Sequence, residues 1–264
     1  MKTRVSFLAA ILFFLPVLGW ADHPSTVTKS AIPIEKNAYR AEAGAQFNRH
    51  SSAERNSLIS FSILYGLIHN MEVGVELPYL WATAVPHHND HDSDQMPSRD
   101  SDRLGDLSLL AKVLFLKGRD ATPISMAGAM RLKIPTASRN RLTDTTGEAD
   151  IGLSLITSKA MYPYDFYLNL SHTYLGNPAR EERPDRRDYV LGIRYAAAKP
   201  NLSYTGELLG QDYTGRLAED EWSFAGGASY AIAPEIGIDS AIAIGLSKHA
   251  AAYGLNFRIR YDYN

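Results

Sequence analysis

The sequence predicts an all-β fold, a transmembrane antiparallel up-and-down β-barrel of about twelve strands. Three observations favour it. Polar and apolar residues alternate along most of the chain, aromatic residues gather at both ends of the alternating segments, and the connections between segments are alternately long and short. A helical membrane protein is not indicated, because no stretch after residue 21 approaches 18 consecutive apolar residues.

The composition excludes several classes of protein. The chain has 264 residues, no cysteine and a formal net charge of -2. Without cysteine there is no disulfide scaffold, no thiolate metal site and no cysteine nucleophile. Without an excess of basic residues, nucleic acid is not an expected partner.

The first 21 residues are typical of a secretory signal peptide. Two basic residues precede the apolar stretch Val5–Val17, and Gly19-Trp20-Ala21 resembles a small-x-small cleavage site. The alternative is an amino-terminal membrane anchor, but the apolar stretch is short for a membrane span. We therefore expect a signal peptide over 1–21, a periplasmic N-terminal segment over 22–35 and an outer-membrane barrel over 36–264.

Strict alternation defines the strands. Between Tyr253 and Tyr263 every second residue is apolar or aromatic and those between are glycine or polar, so one face of a strand would be apolar. Ten such residues at about 3.3 Å each, tilted by about 40°, cover roughly 25 Å, the apolar band of an outer-membrane barrel. The predicted strands are 38–49, 58–68, 71–83, 105–116, 124–135, 149–160, 166–176, 188–197, 202–212, 221–231, 236–247 and 252–263.

The connections predict the orientation of the barrel. Those after odd-numbered strands are polar and several are long, above all 84–104, whereas those after even-numbered strands include the short segments 69–70 and 161–165. Long outer loops and short periplasmic turns are typical of outer-membrane barrels with both termini in the periplasm. We expect 84–104 to be exposed outside the cell.

The positions of the aromatic residues separate a barrel from a soluble β-sandwich, which would place them in its core. Here they form two groups at the strand ends with aliphatic residues between, as expected for residues that favour the two membrane interfaces. The predicted outer group is Phe47, Tyr79, Trp81, Tyr174, Tyr189, Trp222, Phe224 and Tyr253, and the periplasmic group is Tyr39, Tyr65, Phe115, Phe166, Tyr195, Tyr204, Tyr230, Tyr261 and Tyr263.

The opposite strand faces would line the lumen and carry charges of both signs. A balanced set indicates pairing or hydration, and it leaves open a water-filled passage or an interior filled by structural ion pairs. One neighbourhood, with Arg40, Glu42, Arg258 and Arg260, is expected to be locally positive. The predicted lumen-lining residues are Arg40, Glu42, Glu76, Lys112, Arg131, Lys133, Arg194, Glu207, Asp239, Arg258 and Arg260, together with Glu72, Asp106, Asp150 and Asp262.

Two places invite a chemical interpretation. His87, His88 and His91 lie among acidic residues in the loop 84–104, a composition able to hold zinc or copper or simply to form a solvated loop. His172 lies on the predicted lipid face, but adjacent Ser171 points to the other face, so the two do not form a nucleophile–base pair. No catalysis and no cofactor are expected.

Four motifs in a fixed order carry a family resemblance. Gly105-Asp106 opens a strand, Lys133-Ile134-Pro135-Thr136 closes the next, and Thr146-Gly147-Glu148-Ala149-Asp150 and Ser158-Lys159 follow. This order resembles the outer-membrane proteins named for the meta-pathway (MetA-pathway) of phenol degradation. That family commonly continues the second motif with glycine and an acid, where this chain has Ala137-Ser138. The resemblance implies a β-barrel that transports small molecules, aromatic or hydrophobic ones among them.

The sequence thus predicts a passive channel or transporter in the outer membrane of a Gram-negative bacterium. Its expected partners are a small-molecule solute and outer-membrane lipid. The alternative is a structural or binding barrel with a closed lumen, whose outer loops engage a metal or a partner.

Overall fold

The computed structural model describes residues 29–49, 54–84, 100–119, 123–137, 147–177, 183–199, 201–214 and 216–263. The predicted signal peptide and His87, His88 and His91 lie outside these residues. Among the residues described, no helix is long and apolar enough to cross a membrane. The strands are β1 Tyr39–Arg49, β2 Glu54–Ile68, β3 Met71–Ala84, β4 Asp100–Leu104, β5 Leu107–Leu116, β6 Ile124–Ile134, β7 Asp150–Met161, β8 Tyr164–Tyr174, β9 Arg186–Ala196, β10 Leu202–Tyr213, β11 Arg216–Ala231, β12 Ile236–Gly245 and β13 Tyr253–Tyr263.

The strands form one closed antiparallel barrel. β4 and β5 both pair with β3 and are separated only by Gly105-Asp106, so together they occupy one of the twelve strand positions of the barrel. The last strand pairs with the first in full register, from Tyr39 opposite Tyr263 to Arg49 opposite Tyr253. This closure leaves no sheet edge, which confirms the predicted barrel and excludes the sandwich.

Several strands extend further than predicted. β2 begins at residue 54 instead of 58, β11 at 216 instead of 221, and part of the predicted loop 84–104 forms β4. A hairpin continues its backbone hydrogen bonds into polar sequence, because the ladder requires no apolar side chains. Alternation of hydrophobicity therefore marks the part of each strand that faces lipid, and not the whole strand.

The two ends of the barrel differ in their connections. At one end, here called the turn end, lie the starts of β1 and β3, the end of β13 and the short connections 69–70 and 162–163. At the other, the loop end, lie the ends of β3, β6 and β8 and the starts of β4, β7 and β9, between which longer connections run in the sequence. Both ends of the barrel sequence, Tyr39 and Tyr263, are therefore at the turn end.

The outer surface is apolar at mid-height and aromatic at both ends. On β7, Leu153 and Leu155 are exposed, whereas Ser154 between them hydrogen-bonds inward to Ser171 of β8 at 2.8 Å. A soluble protein does not leave a continuous belt of leucine and isoleucine exposed, but lipid covers such a belt. The exposed aromatic residues at the turn end are Tyr39, Phe115, Tyr162, Tyr164, Phe166, Tyr195, Tyr204, Tyr230, Tyr261 and Tyr263, and those at the loop end are Phe47, Tyr174, Trp222, Phe224 and Tyr253.

Candidate functional site

The candidate site is the lumen of the barrel. The predicted lining residues lie on the strand faces opposite the exposed apolar belt, and most belong to two groups of ion pairs. One group lies on the wall formed by β3, β5, β6 and β7, here called the β3–β7 wall. The other lies on the wall formed by β8 to β13 and β1, here called the β8–β1 wall.

On the β3–β7 wall, Lys133 holds two carboxylates together. Its Nζ lies 2.5 Å from Asp150 Oδ2 and 3.7 Å from Asp106 Oδ2. Asp106 Oδ1 also accepts a hydrogen bond from the backbone N–H of Ala137 at 2.9 Å, which fixes the start of the connection after β6. The cluster lies at the loop end of β6 and β7, and the Asp106 side chain is only 2% exposed.

A second pair on the same wall lies one step closer to the turn end. Arg131 donates from Nη2 to Glu76 Oε1 at 2.9 Å and from Nε to Ser108 Oγ at 3.0 Å. Its planar guanidinium thus bridges three strands, β3, β5 and β6. Both partners of the ion pair remain about a quarter exposed to the lumen.

On the β8–β1 wall, several ion pairs lie in the half towards the turn end, and Arg186 lies 3.4 Å from buried Asp188 at the loop end. Arg194 donates to Asp165 at 2.9 Å, and Arg258 donates to Asp239 at 2.6 Å and lies 3.9 Å from Glu42. Glu207 of β10 is buried on the same face. Arg194 keeps 47% of its side chain exposed although it lies on the inward face of the wall.

The expected positive patch around Arg258 is absent, and this prediction was wrong. Asp262 accepts from Arg40 at 2.5 Å and lies 3.0 Å from Arg260, while Asp239 neutralises Arg258. Closure of β13 onto β1 places Arg40 directly opposite Asp262. Three bases therefore meet three acids there, and the neighbourhood is balanced like the rest of the lumen.

Each wall also has an apolar patch on its inner face. On the β8–β1 wall, Val190, Leu209, Ala225 and Ala243 pack together, and Ala251 of the connection 246–252 folds onto them. On the β3–β7 wall, the socket formed by Leu114, Ala127 and Ile156 receives Ala31. Sequence analysis missed both patches, although the apolar residues on the otherwise polar face of β7, β9 and β10 could have predicted them.

Residues 29–35, within the predicted periplasmic segment, run along the inner side of the barrel wall. The chain turns sharply between Glu35 and Ala38, with Asn37 in the left-handed region at φ 68°. The carbonyl of Glu35 passes over Gly66 of β2 so closely that a Cβ at residue 66 would lie 1.8 Å from its oxygen. Only glycine fits beneath that carbonyl.

The outer surface near the loop end carries His172. Its Nε2 lies 3.4 Å from Asp185 Oδ2, and its ring lies edge-on to Tyr174 with centroids 4.5 Å apart. The hydroxyl of Ser171 bonds to Ser154 on the other face, as the strand period predicts. His172 thus anchors the connection after β8. Within the part of the chain that the structure describes, no three His, Asp or Glu side chains are grouped to hold a metal ion.

Comparison with known proteins shows similarity in fold only. No protein-family model and no curated protein sequence matches this chain. Among solved structures, the COG4313 outer membrane channel from Pseudomonas putida F1 is similar at a TM-score of 0.69 and 14% identity, over 91% of this chain and 99% of that one. The KdgM porin in complex with disordered oligogalacturonate gives 0.49 at 9% identity over 86% and 98%, and the CymD monoaromatic hydrocarbon channel gives 0.47 at 12% over 87% and 89%.

The similarity in fold to the COG4313 channel agrees with the exposed apolar belt and its two aromatic bands. The chain has the fold of an outer-membrane β-barrel, and its lumen is lined by paired charges.

Proposed function

We propose that the protein is an outer-membrane channel for the passive passage of small molecules. The observation that carries this proposal is that the Arg131–Glu76 ion pair, which lies on the inner face between the two ends of the barrel, keeps 25% and 23% of its side chains exposed. A filled interior would bury these groups, because buried charges are tolerated only when fully paired. Accessible, paired charges favour a hydrated path instead.

The balanced charge of the lumen affects which solutes we expect to pass. Alternating acids and bases attract neither sign of ion over long distances, so we expect weak ion selectivity and passage of neutral or dipolar molecules. The motif order from Gly105-Asp106 to Ser158-Lys159 supports membership of the MetA-pathway family and therefore small aromatic or hydrophobic solutes.

A second candidate function is a structural or binding barrel with a closed lumen. The contacts between residues 29–35 and the β3–β7 wall favour it, because they fill part of the turn end. The two proposals differ in one property, which is whether solute crosses.

Liposome swelling distinguishes them. Purified protein reconstituted into liposomes should admit small sugars, amino acids and monocyclic aromatic acids at rates that fall with solute size. Liposomes without protein are the control for leaky lipid, and heat-modified migration on gels confirms that the reconstituted barrel is folded. Swelling that is no faster than in protein-free liposomes, with the barrel folded, would favour the closed barrel.

A further inference from the structure

We propose that the side-chain carboxamides of Gln46, Asn48 and Asn256 form a solute-binding site in the loop-end half of the lumen, and that the site takes a small neutral solute with a primary carboxamide group. The three residues are here called the carboxamide site. This inference rests on the proposed channel function for the route by which solute reaches the lumen, and it adds a class of solute to that function.

The carboxamide site lies where the barrel closes. Gln46 and Asn48 belong to β1 and Asn256 to β13, and Gln46 is paired directly with Asn256 across the ladder. All three side chains lie on the inner face, since Phe47 between Gln46 and Asn48 is exposed on the lipid side. The closing ladder therefore brings three carboxamides to one stretch of the lumen wall.

The three carboxamides are buried and have unpaired polar atoms. Gln46 is 1% exposed, Asn256 3% and Asn48 8%. Within the described parts of the chain, no group hydrogen-bonds to Nε2 or Oε1 of Gln46, or to Oδ1 of Asn48 or Asn256. A buried polar group left unpaired costs the free energy of its desolvation, so such groups are few in native proteins and mark places where water or a ligand binds.

The backbone beside the site leaves room for these groups. Gly254 of β13 is paired with Asn48, and a Cβ at residue 254 would lie 2.7 Å from Asn48 Oδ1. The absence of a side chain at Gly254 thus lets the Asn48 carboxamide lie over β13, two residues from Asn256. An alanine there would turn the carboxamide aside without removing it.

Apolar residues flank the carboxamides on both sides. Leu58 of β2 is paired with Gln46 and is 6% exposed, and Ala243 of β12 is paired with Gly254. Ala251 of the connection 246–252 packs against Ala243, next to the site. The unpaired atoms have no contact with bulk water, so binding requires the chain around them to move, and we expect association slower than diffusion.

The chemistry of the site selects a neutral solute. Arg258, the next inward residue after Asn256, donates to Asp239 at 2.6 Å and lies 3.9 Å from Glu42, so it offers no free charge to a solute. A primary carboxamide presents two N–H donors and a carbonyl acceptor. It can therefore pair with Gln46 amide to amide and also donate to the oxygen of Asn48 or Asn256. The flanking apolar residues suit a small apolar body on the same solute.

Calorimetric titration of the folded protein in detergent micelles tests the site, with benzamide as the probe and protein-free micelles as the baseline. The parent should bind benzamide at least tenfold more tightly than benzoate, which carries a charge, or N,N-dimethylbenzamide, which has no N–H donor. Gln46→Met and Asn256→Leu should each weaken benzamide binding by about tenfold. Gly254→Ala, which displaces the Asn48 carboxamide, should weaken it as well.

Stability separates a binding role from a structural one. Gln46→Met and Asn256→Leu replace unpaired polar groups with apolar groups of similar shape, so urea titration should show barrels at least as stable as the parent. The matched control is Gln211→Met on the inner face of β10. Gln211 is also 1% exposed, but its Nε2 donates to Tyr213 Oη at 2.7 Å. This variant should keep the benzamide affinity of the parent.

The outcomes separate this inference from the proposed function. Absent benzamide binding, equal affinity for the three probes, or equal affinity of the parent and the site variants would overturn the site. Lower stability with unchanged binding would show that the carboxamides only hold the wall together through ordered water, which also overturns it. Should Gln46→Met and Asn256→Leu fail to fold, Gly254→Ala against Gln211→Met decides alone.

Liposome swelling with the same parent protein tests the channel separately. Swelling without benzamide binding removes the site and leaves the channel standing. Benzamide binding that the site variants lose, in a parent that gives no swelling, leaves the site standing and removes the channel.

Discussion

The two walls of the lumen both combine ion pairs with an apolar patch, but the two patches lie towards opposite ends of the barrel. The β3–β7 wall carries its Lys133 cluster at the loop end, its Lys112–Glu72 pair nearer the turn end and its apolar socket towards the turn end. The β8–β1 wall carries its apolar patch towards the loop end, beside the Arg186–Asp188 pair, and its other ion pairs nearer the turn end. In both cases another part of the chain covers the apolar patch, Ala31 in one and Ala251 in the other.

This difference shows which surface is left for solute. Apolar lumen surface is costly in water, so the chain covers it with its own residues, whereas paired charges stay hydrated at little cost. The accessible charged surface includes the Arg131–Glu76 pair of one wall and Arg194 of the other. Individual pairs differ in exposure, since Lys133 is less than one-fifth exposed and Arg194 nearly one-half.

The largest expected effect contrasts the stability of the two walls. Lys133→Met leaves the carboxylates of Asp106 and Asp150 together without their cation, which should cost roughly 3–5 kcal/mol of folding free energy. Arg194→Met removes a half-exposed partner of Asp165 and should cost less than about 1 kcal/mol. Urea titration of folding in lipid vesicles measures both. Equal costs of the two substitutions would show that these two ion pairs of the walls do not differ in burial.

A second prediction tests the assignment of faces on which the comparison depends. Leu155→Arg places a charge at mid-height on the lipid side and should cost about 2–4 kcal/mol of stability in the membrane. Ser154→Arg places the same charge in the lumen and should cost much less. The same vesicle titration applies, and the reverse order of costs would mean that the faces are exchanged.

A third prediction concerns ion selectivity on the β8–β1 wall. Arg258→Glu replaces a cation between Asp239 and Glu42 with a third carboxylate, so the reversal potential in a salt gradient should shift towards cations. Arg187→Glu on the lipid face near the loop end makes the same change of charge outside the lumen and should shift nothing. If both variants behave like the parent, Arg258 does not line the path.

The smallest expected effect on stability concerns the path of residues 34–37. Gly66→Ala places a methyl group where the Glu35 carbonyl passes, so residues 34–37 must shift while β2 keeps its pairing with β1 and β3. Because Asn37 and Ala38 are hydrogen-bonded to Gly66, we expect a loss of about 1 kcal/mol or more in the vesicle titration. Gly128→Ala on β6, where a Cβ meets nothing within 4 Å, is the control. Equal stabilities of the two variants would argue against this path of the chain.

Much of the fold could be predicted because the membrane imposes one rule on every strand. A residue such as Leu155 must be apolar where it faces lipid, and its neighbour Ser154 need not be, so hydrophobicity alone gives the strands, their faces and their number. The parts of β2, β4 and β11 beyond the membrane escape this rule, and their extents were missed for that reason.

The lumen was predictable in composition but not in pairing. Alternation identifies Arg258 and Asp239 as inward residues, but only the register of the ladder makes them neighbours. Asp165, the partner of Arg194, was placed in a turn because the aromatic residue before it was not counted in β8. The path of residues 29–35 leaves no periodic signal, because the segment pairs with side chains and not with a strand.

The central claim is that solute crosses through the lumen, and one measurement tests it most directly. The chain contains no cysteine, so single cysteines can be placed at Arg194, facing the lumen, and at Leu191, exposed to lipid on the same strand. A positively charged methanethiosulfonate reagent added during planar-bilayer recording should change the current through the Arg194→Cys variant stepwise and leave Leu191→Cys unchanged. Current that responds at neither position, or a folded protein that carries no current, would contradict a path through the lumen.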